Sequence, residues 1–366
     1  MDLDLVFLGT SGSVPTARRA PSGLLVRRGG ERLLFDCGEG TQRQLLRSTI
    51  GLVELPEVFL THYHADHYLG LPGMMKTFAL RGREIPLTVY GPPGLVDLFG
   101  SLQRIFGKLT YTYSLVELRP GDILGREGYR MAVFKVHHGH SAIGYSLVED
   151  ARPGEFNVEA ATTLGVPMGP LFGALQRGET IAVRDGATVR PEQVLGPPRR
   201  GRKVVVTGDT RPARSVLDAA RDAEVLVHEA TFADEERERA DETGHSTALD
   251  AAELARAAGV KVLVLTHLSN RYFGPEIARE ARTVFPETVV PRDFDMIDVP
   301  FPERGAPRLV KGGALGRREE AEPNGHGASH GDARPDRGRG GPGDSSVGRD
   351  PLGTAIGGRA PSGRAR

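Results

Sequence analysis

The sequence predicts an α/β protein in which two β-sheets pack face to face and helices cover both outer faces. Three observations predict this fold. Short apolar runs separated by glycine indicate strands early in the chain and again in its second half. Helical patterns lie between the later strands, so each half supplies both a sheet and helices to cover it. The length of 366 residues is enough for one large domain with an extension.

The first half of the body predicts seven strands and one helix. The helix is expected at 71–80. The strands are expected at 3–8, 22–27, 31–36, 57–61, 87–90, 129–136 and 142–148, the last two as an antiparallel pair. In the second half, strands are expected at 203–207, 223–227 and 261–266. The segment 247–259 is rich in alanine and ends at a glycine, which predicts the clearest helix of the chain.

Two segments depart from this pattern and define the domain organisation. The segment 151–202 has poor periodicity and many Pro and Gly residues, and so long an irregular insert is usually functional or mobile. The segment 305–366 holds 16 of the 48 glycines, no Phe, Tyr or Trp, and a net charge of +4. Because it has too little apolar surface to offset its ordering entropy, we expect a disordered tail. We therefore predict one domain at 1–304, which contains the insert, and a tail at 305–366.

The composition excludes several classes of protein. The only cysteine, Cys37, cannot form an internal disulfide, which fits a reducing compartment. No apolar run approaches the roughly 18 residues that span a bilayer, so we expect no membrane insertion. The first residues lack a basic stretch followed by an apolar one, so we expect no secretory signal and a cytoplasmic protein.

Histidines cluster where predicted strands end. The sharpest group is Thr-His-Tyr-His-Ala-Asp-His at 61–67, which presents three imidazoles and one carboxylate directly after a strand. Nitrogen and oxygen donors of this kind suit zinc. In such a loop His62 and His64 can reach one metal ion while Asp66 and His67 turn toward a second. Because loops at the carboxyl ends of strands carry the functional residues of layered α/β folds, this position favours a site over core packing.

Four donors do not complete two metal sites, so further donors are expected at later strand ends. Three groups meet this expectation: His137, His138 and His140 after the strand at 129–136, Asp209 after the strand at 203–207, and His267 after the strand at 261–266. A carboxylate such as Asp209 can bridge two divalent ions about 3.5–4 Å apart. The sequence therefore predicts a centre with two ions. Zinc is expected, with manganese as the alternative, since histidine-carboxylate sites accept both.

These residues, in this order, resemble the metallo-β-lactamase superfamily and, within it, the ribonuclease Z enzymes that trim the 3′ trailer from precursor tRNA. The H-x-H-x-D-H motif is shared by the whole superfamily, whereas His-Glu-Ala-Thr at 228–231, Gly-His-Ser-Thr at 244–247 and a Gly/Pro-rich insert are narrower marks. The resemblance also covers the segments at 7–10, 35–42, 206–210 and 266–272. It runs from about residue 2 to 303 and leaves the tail uncovered.

The resemblance implies an αββα four-layer sandwich with two Zn²⁺ ions at one edge. It implies a first zinc on His62, His64 and His138, a second on Asp66, His67 and His267, and Asp209 as the bridge. The family places its third-motif histidine seven residues before the tyrosine of a Gly-Tyr pair, here Tyr145, which selects His138 over its two neighbours.

The resemblance also implies catalytic roles. Asp66 would accept a proton from the attacking water, and Glu229 and His245 would orient and protonate near the scissile phosphate. Asp36 would hold a ligand histidine by its distal N–H. A competing interpretation makes His245 the cap of the helix that begins near Thr247, although Ser and Thr are the better N-cap types.

The insert carries a further implication of the resemblance. In the family it projects as a flexible arm, an exosite that grips the body of the tRNA, and family members are usually homodimers. Gly169 and Pro170 carry this likeness, and Arg177 could contact phosphate, which positions RNA without reading its sequence. The body has a net charge of −4, so its basic residues must be concentrated locally to bind a polyanion.

Three functional hypotheses follow. The first is a zinc-dependent endoribonuclease that removes the 3′ trailer from precursor tRNA and leaves a 3′-hydroxyl. The second keeps the metals but acts on small molecules, as a phosphodiesterase, arylsulfatase-like enzyme or lactonase; deleting 153–199 separates the two. The third is a metal-stabilised RNA-binding module without catalysis, whose activity would survive Asp66→Ala. The sequence leaves open whether cleavage follows the discriminator base or an encoded CCA.

Overall fold

The computed structural model describes residues 1–52, 55–183 and 186–312. In these residues the strands are β1 (Leu3–Gly9), β2 (Gly23–Arg28), β3 (Glu31–Phe35), β4 (Glu57–Phe59), β5 (Leu87–Gly91), β6 (Tyr113–Glu117), β7 (Ile123–Arg126), β8 (Tyr129–Lys135), β9 (Ile143–Glu149), β10 (Ile181–Ala182), β11 (Thr188–Val189), β12 (Lys203–Val206), β13 (Val225–Glu229), β14 (Val262–Thr266), β15 (Thr288–Val289), β16 (Met296–Asp298) and β17 (Arg308–Val310).

The α-helices of the described residues are α1 (Thr41–Arg47), α2 (Ala65–Tyr68), α3 (Gly70–Leu80), α4 (Leu95–Phe106), α5 (Val158–Thr163), α6 (Pro170–Gln176), α7 (Arg214–Ala220), α8 (Arg237–Thr243), α9 (Ala248–Ala258) and α10 (Gly274–Arg282). Short 3₁₀ turns lie at Pro191–Gln193, Asp234–Glu236 and Pro302–Arg304. None of the helices formed by the described residues is long and apolar enough to cross a membrane.

The strands form two large sheets and one small hairpin. The first sheet has eight strands in the order β17-β16-β1-β2-β3-β4-β5-β6, and the second has seven in the order β15-β14-β13-β12-β9-β8-β7. The strands from β3 to β6 run parallel, as do those from β12 to β15, and the remaining pairs are antiparallel. The pair β10-β11 stands alone inside the insert.

Side-chain alternation along β1 shows how the layers form. Successive residues of a strand point to opposite faces. Leu5 and Phe7 belong to the core between the two sheets, and Val6 and Leu8 belong to the core under helices α1, α3 and α4. A third apolar core lies between the second sheet and helices α7, α9 and α10. The layer order is therefore helices, sheet, sheet, helices, which confirms the predicted αββα sandwich.

Helix α9, the clearest helix predicted from the sequence, has favourable capping residues at both ends. The hydroxyl of Thr247 accepts a hydrogen bond from the Asp250 amide, and the Asp250 carboxylate accepts one from the Thr247 amide, so a capping box begins α9. Gly259 ends the helix with a φ of +67°, a conformation that residues with a Cβ adopt less readily. Thr247, and not His245, is the N-cap, so the interpretation of His245 as the cap of this helix is wrong.

The insert has more structure than the sequence indicated. Helices α5 and α6 and the hairpin β10-β11 pack around a small core of their own that includes Val166, Leu175 and Val194. The sequence does not signal these elements, because the helices have six and seven residues and each strand has two, which is too short for a hydrophobic period to emerge.

The first sheet extends past the predicted domain boundary. Strand β17 pairs antiparallel with β16, so the first sheet continues to Val310 although the domain boundary was predicted at 304. Three residues, Arg-Leu-Val, are too short a run to indicate a strand amid Gly and Pro. The rest of the predicted tail, from residue 313 onward, lies outside the described residues.

Candidate metal centre and active site

The loops that carry the predicted donors leave the sandwich at one edge. They follow the carboxyl ends of seven strands. In the first sheet β1, β3 and β4 run in one direction, and in the second sheet β8, β12, β13 and β14 run in one direction. The backbone links the two sheets at this edge, where the Ile143 amide donates to the Thr61 carbonyl at 3.0 Å. Donors that are far apart in the sequence therefore meet in one place.

The first donor group consists of His62, His64, His138 and Asp209, whose ligand atoms all lie within 4.8 Å of one another. His138 Nε2 lies 3.0 Å from His64 Nδ1. Asp209 Oδ2 lies 3.7 Å from His62 Nε2 and 3.8 Å from His138 Nε2. His64 faces the open side of this group, whereas the other three side chains are buried.

The second donor group consists of Asp66, His67 and His267. His267 Nε2 lies 3.2 Å from Asp66 Oδ2 and 3.3 Å from His67 Nε2. Asp209 Oδ2 is 3.3 Å from His267 Nε2 and 3.5 Å from His67 Nε2, so this one oxygen lies between the two groups. Asp209 occupies the position that a bridging carboxylate needs.

The histidine rings are oriented as metal ligands are. Four of them have their other ring nitrogen engaged. His62 Nδ1 contacts the Thr61 hydroxyl at 3.1 Å, and three contacts are 2.8 Å long: His67 Nδ1 with Asp36 Oδ2, His138 Nδ1 with the Gly244 carbonyl and His267 Nδ1 with the Thr231 hydroxyl. A carbonyl can only accept, so His138 Nδ1 carries the proton and its Nε2 presents a lone pair to the centre.

Two buried polar atoms at the centre have no hydrogen-bond partner among the described residues. They are His62 Nε2 and Asp209 Oδ1. Because buried polar atoms in proteins are almost always satisfied, such atoms indicate a missing partner. Imidazole nitrogens and carboxylate oxygens that converge on one place in this way fit divalent metal ions.

Electrostatics keep the carboxylates of the centre ionised. Burial disfavours the charge of Asp209, but the imidazoles of His267 and His67 outweigh it and hold the pKa of Asp209 well below its usual value. Burial likewise opposes the charge of Asp66, and its hydrogen bond to His267 lowers the pKa of the Asp66 carboxyl. Burial lowers the pKa of His62, which favours the neutral, ligating form.

A buried carboxylate–imidazole pair, Glu229 and His245, lies beside the metal donors. Glu229 ends β13 and is buried; its Oε1 accepts hydrogen bonds at 2.8 Å from the Thr210 amide and from His245 Nδ1. Its Oε2 accepts one from the Thr231 hydroxyl at 2.5 Å. Burial disfavours a charged His245, but the Glu229 carboxylate outweighs it and raises the pKa of His245 to about 9. His245 Nδ1 also lies 3.9 Å from Asp209 Oδ2.

Asp36 supports one of the histidines that were predicted as metal ligands. Its Oδ2 accepts from His67, and its Oδ1 accepts from the Thr61 amide at 2.8 Å. Asp36 has a φ of +56°, a strained conformation for a residue with a side chain, which turns the carboxylate back toward the loop that carries His67. Of the three neighbouring histidines of the third motif, only His138 enters the centre; His137 and His140 are exposed.

Several contacts of the site were not predicted from the sequence. The Ser13 amide, in the loop after β1, donates to Asp66 Oδ2 at 2.8 Å. Gly12 packs against the His267 ring so closely that a Cβ there would lie 2.7 Å from Nδ1. Thr231 joins Glu229 to His267 through its hydroxyl. The sequence offered a signal only for Thr231, as the last residue of the His-Glu-Ala-Thr motif.

Two clefts of different charge open from the centre. A groove of about 680 Å³ begins at His138 and is lined by Arg119, Lys135 and Arg211, none of which has an ion-pair partner in the described part of the chain. A cleft of about 270 Å³ lies on the side of His245. Its two arginines, Arg239 and Arg271, both pair with Glu236, at 3.7 and 3.0 Å.

The predicted arm residues are located in the insert. Gly169 precedes α6 with a φ of +139°, and Pro170 is the first residue of that helix. The Arg177 guanidinium pairs with Glu179 at 2.7 Å, which reduces the free charge expected at this position. No hydrogen bond or ion pair among the described residues joins these three to the metal centre.

Known proteins resemble this chain in both sequence and fold. Residues 17–152 match the metallo-β-lactamase superfamily. Ribonuclease Z of Methanosarcina acetivorans is 46% identical over 303 residues, which is 82% of this chain and 99% of that protein. Ribonuclease Z of Myxococcus xanthus is 51% identical over 271 residues, 74% of this chain and 88% of that protein.

Solved structures agree. The short form of human tRNase Z superposes with a TM-score of 0.59 at 28% identity and covers 81% of this chain and 99% of its own. The metallo-β-lactamase fold protein YhfI of Bacillus subtilis shares this fold, with a TM-score of 0.60 at 21% identity over 81% of this chain and 100% of its own. Because relatives more than 40% identical over most of their length are ribonuclease Z, this chain belongs to the ribonuclease Z family of the metallo-β-lactamase superfamily.

Proposed function

We propose that this protein is a zinc-dependent endoribonuclease that hydrolyses one phosphodiester of precursor tRNA, releases the 3′ trailer and leaves a 3′-hydroxyl on the tRNA. The observation that carries this proposal is the convergence of seven side chains with nitrogen and oxygen donors, six of them around Asp209, beside the buried Glu229–His245 pair. Membership of the ribonuclease Z family supports it.

The donors define two metal positions in this proposal. His62, His64 and His138 would hold one zinc, Asp66, His67 and His267 would hold the other, and Asp209 would be shared between them, with manganese as the alternative ion. When bound, two such ions stabilise negative charge on the phosphoryl oxygens and lower the pKa of a coordinated water from 15.7 toward about 7.

Asp66 is suited to take the proton of the attacking water. Its Oδ2 is engaged by the Ser13 amide and His267, while its Oδ1 has no hydrogen bond among the described residues. One oxygen thus fixes the carboxylate, and the other is free to accept a proton. Asp66 is also partly exposed, so water and substrate can reach it.

His245 is suited to protonate the leaving 3′ oxygen. Its Nδ1 bonds to Glu229, which fixes the ring and favours the protonated form. Since the attacking water and the leaving oxygen lie on opposite sides of phosphorus in an in-line displacement, the leaving group belongs on the His245 side. The tRNA end then occupies the cleft beside His245, and the trailer leads toward the groove of Arg119, Lys135 and Arg211.

The rest of the chain has assigned parts in the same proposal. Residues 1–304 form the catalytic domain, to which the strand at Arg308–Val310 adds an edge. The insert at 151–202 is the arm that contacts the body of the tRNA, and Gly169, Pro170 and Arg177 are its proposed RNA-binding residues. We further propose a cytoplasmic homodimer in which the arm of one subunit holds the tRNA that the other cleaves.

The test is incubation of purified protein with precursor tRNA. An intact trailer and a tRNA with a 3′-hydroxyl are expected, and Asp66→Ala should abolish cleavage. Turnover confined to small phosphodiesters would overturn the proposal in favour of a small-molecule hydrolase. A variant lacking 153–199 that cleaves precursor tRNA as well as the full chain would contradict the role of the insert in holding tRNA. Unchanged biological activity in Asp66→Ala would instead indicate a binding module.

A further inference from the structure

The insert is joined to the sandwich through a narrow stem. Its helices and hairpin pack around their own small core. Among the described residues of 153–198, the hydrogen bonds and ion pairs stay within the insert and its stem. The stem itself is one bridge in which the Arg152 amide donates to the Arg199 carbonyl at 2.8 Å and the Arg199 amide returns a bond at 2.9 Å. With this attachment alone, the insert could change its orientation relative to the sandwich.

Both stem arginines reach a segment from the far end of the domain. Arg152 donates from Nη1 and Nη2 to the two carboxylate oxygens of Glu303, at 2.8 and 2.9 Å. Arg199 Nη1 lies 3.5 Å from Glu303 Oε1. The Arg152 guanidinium also lies 3.6 Å from the centroid of the Phe301 ring. A two-pronged arginine–carboxylate pair fixes the plane of both groups as well as their distance.

Arg202 holds Phe301, which contacts the stem, in a fixed position on the sandwich. Arg202 is 1% exposed, stacks on Phe301 with 4.0 Å between guanidinium and ring centroid, and donates to the Val299 carbonyl at 2.9 Å. It also donates to both oxygens of the buried Glu149, at 2.7 and 2.8 Å. Phe301 is therefore anchored to the sandwich on one side and to the stem on the other.

We propose that Phe301 and Glu303 form a clamp that sets the direction in which the insert leaves the sandwich. Glu303 acts through Arg152 and Arg199, so it is a positioning residue. If the insert contacts tRNA, which rests on the function proposed above, the clamp places that contact at a fixed separation from the metal centre. Loosening it then weakens binding of the RNA without changing the chemistry at the metals.

The first experiment measures the direction of the insert and needs no substrate. Spin labels are placed at Met168→Cys in the insert and Ile105→Cys on the sandwich, which are 82% and 73% exposed. Cys37 is buried, and burial raises the pKa of its thiol to about 12, so it stays unlabelled. Labelled protein is diluted with unlabelled protein so that the distances measured by pulsed electron paramagnetic resonance are within one chain.

Glu303→Gln, which keeps the shape and removes the charge, should broaden or shift the distance distribution. The matched control is Asp218→Asn, because Asp218 is an exposed carboxylate that also pairs with two arginines, Arg214 and Arg221, neither of which belongs to the stem. The control should leave the distribution unchanged. A distribution for Glu303→Gln that matches the wild type overturns the clamp.

The second experiment separates binding from chemistry. Glu303→Gln should raise KM for precursor tRNA about fivefold or more, leave kcat within about twofold, and leave turnover of bis(p-nitrophenyl) phosphate unchanged; Glu303→Asp should recover most of the loss. The double variant Arg152→Gln/Glu303→Gln should have a KM for precursor tRNA only slightly higher than that of either single variant. An unchanged KM, or a fall in small-diester turnover, contradicts the clamp as a positioning device. Failure of the wild type to cleave precursor tRNA contradicts the proposed function, whereas the spin-label distances still decide the clamp.

Discussion

Replacing Glu229 by Gln tests how the proton donor is held. Glu229 is 1% exposed, and its Oε1 accepts from both the Thr210 amide and His245 Nδ1, while its Oε2 accepts from Thr231. The amide has nearly the same shape but no charge. Its carbonyl oxygen can keep the bond from Thr210, so the change removes the carboxylate's support of His245 with little loss of packing.

The magnitude follows from the bond that is weakened. A hydrogen bond to a charged group contributes about 1.5–3 kcal/mol, and about 1.4 kcal/mol corresponds to a factor of ten in rate. If that interaction is strongest when His245 is charged and donating, kcat should fall about ten- to a hundredfold. The Glu229 carboxylate raises the pKa of His245 to about 9 against the effect of burial. Without that charge the pKa of His245 falls, so the alkaline limb of the kcat profile should move to lower pH.

The assay is single-turnover cleavage of precursor tRNA across pH, with metal content measured on the same samples. Asp218→Asn serves as a control for charge removal at the surface. His245→Ala combined with Glu229→Gln should be no slower than His245→Ala alone, because the carboxylate acts through the imidazole. The reasoning is refuted if Glu229→Gln keeps full metal content and wild-type kcat, or if its alkaline limb moves upward.

Three further outcomes are expected. Asp36→Asn removes the charged partner of His67 and should weaken zinc binding about 10- to 100-fold in a chelator competition; unchanged affinity would contradict the supporting role. Glu149→Gln leaves the buried Arg202 without its carboxylate and should lower the free energy of unfolding in urea by about 3 kcal/mol. Against the opposing effect of burial, Arg202 lowers the pKa of Glu149, so the wild type should lose this stabilisation as pH falls below about 4 and the variant should not. Arg119→Gln should reduce the slope of log K for precursor binding against log salt concentration by about one unit. An unchanged slope would contradict a path of the RNA through this groove.

The sandwich and the positions of most of its longer strands along the chain were predictable because apolar runs bounded by glycine are local signals, whereas the order of the strands within each sheet was not predicted. The donors were predictable for the same reason, since each follows a run that reads as a strand. Among His137, His138 and His140 the residues alone left the choice open. What distinguishes His138 is its bond to the Gly244 carbonyl, 106 residues away, and no local pattern encodes such a contact.

The features that sequence reasoning missed are those made by short or distant segments. The insert's core depends on helices of six and seven residues. The clamp joins Arg152 to Glu303 across 151 positions, and nothing near either residue signals the other. The strand at Arg308–Val310 becomes one only by pairing with β16. Tertiary contacts decided these elements, so composition and spacing could not.

The most direct test of the account is a zinc titration of metal-free protein while cleavage of precursor tRNA is followed. The arrangement of six donors around Asp209 predicts no cleavage without metal and full activity only as bound zinc approaches two ions per chain. Cleavage by the metal-free protein, or saturation of activity with no zinc bound at these residues, would contradict it.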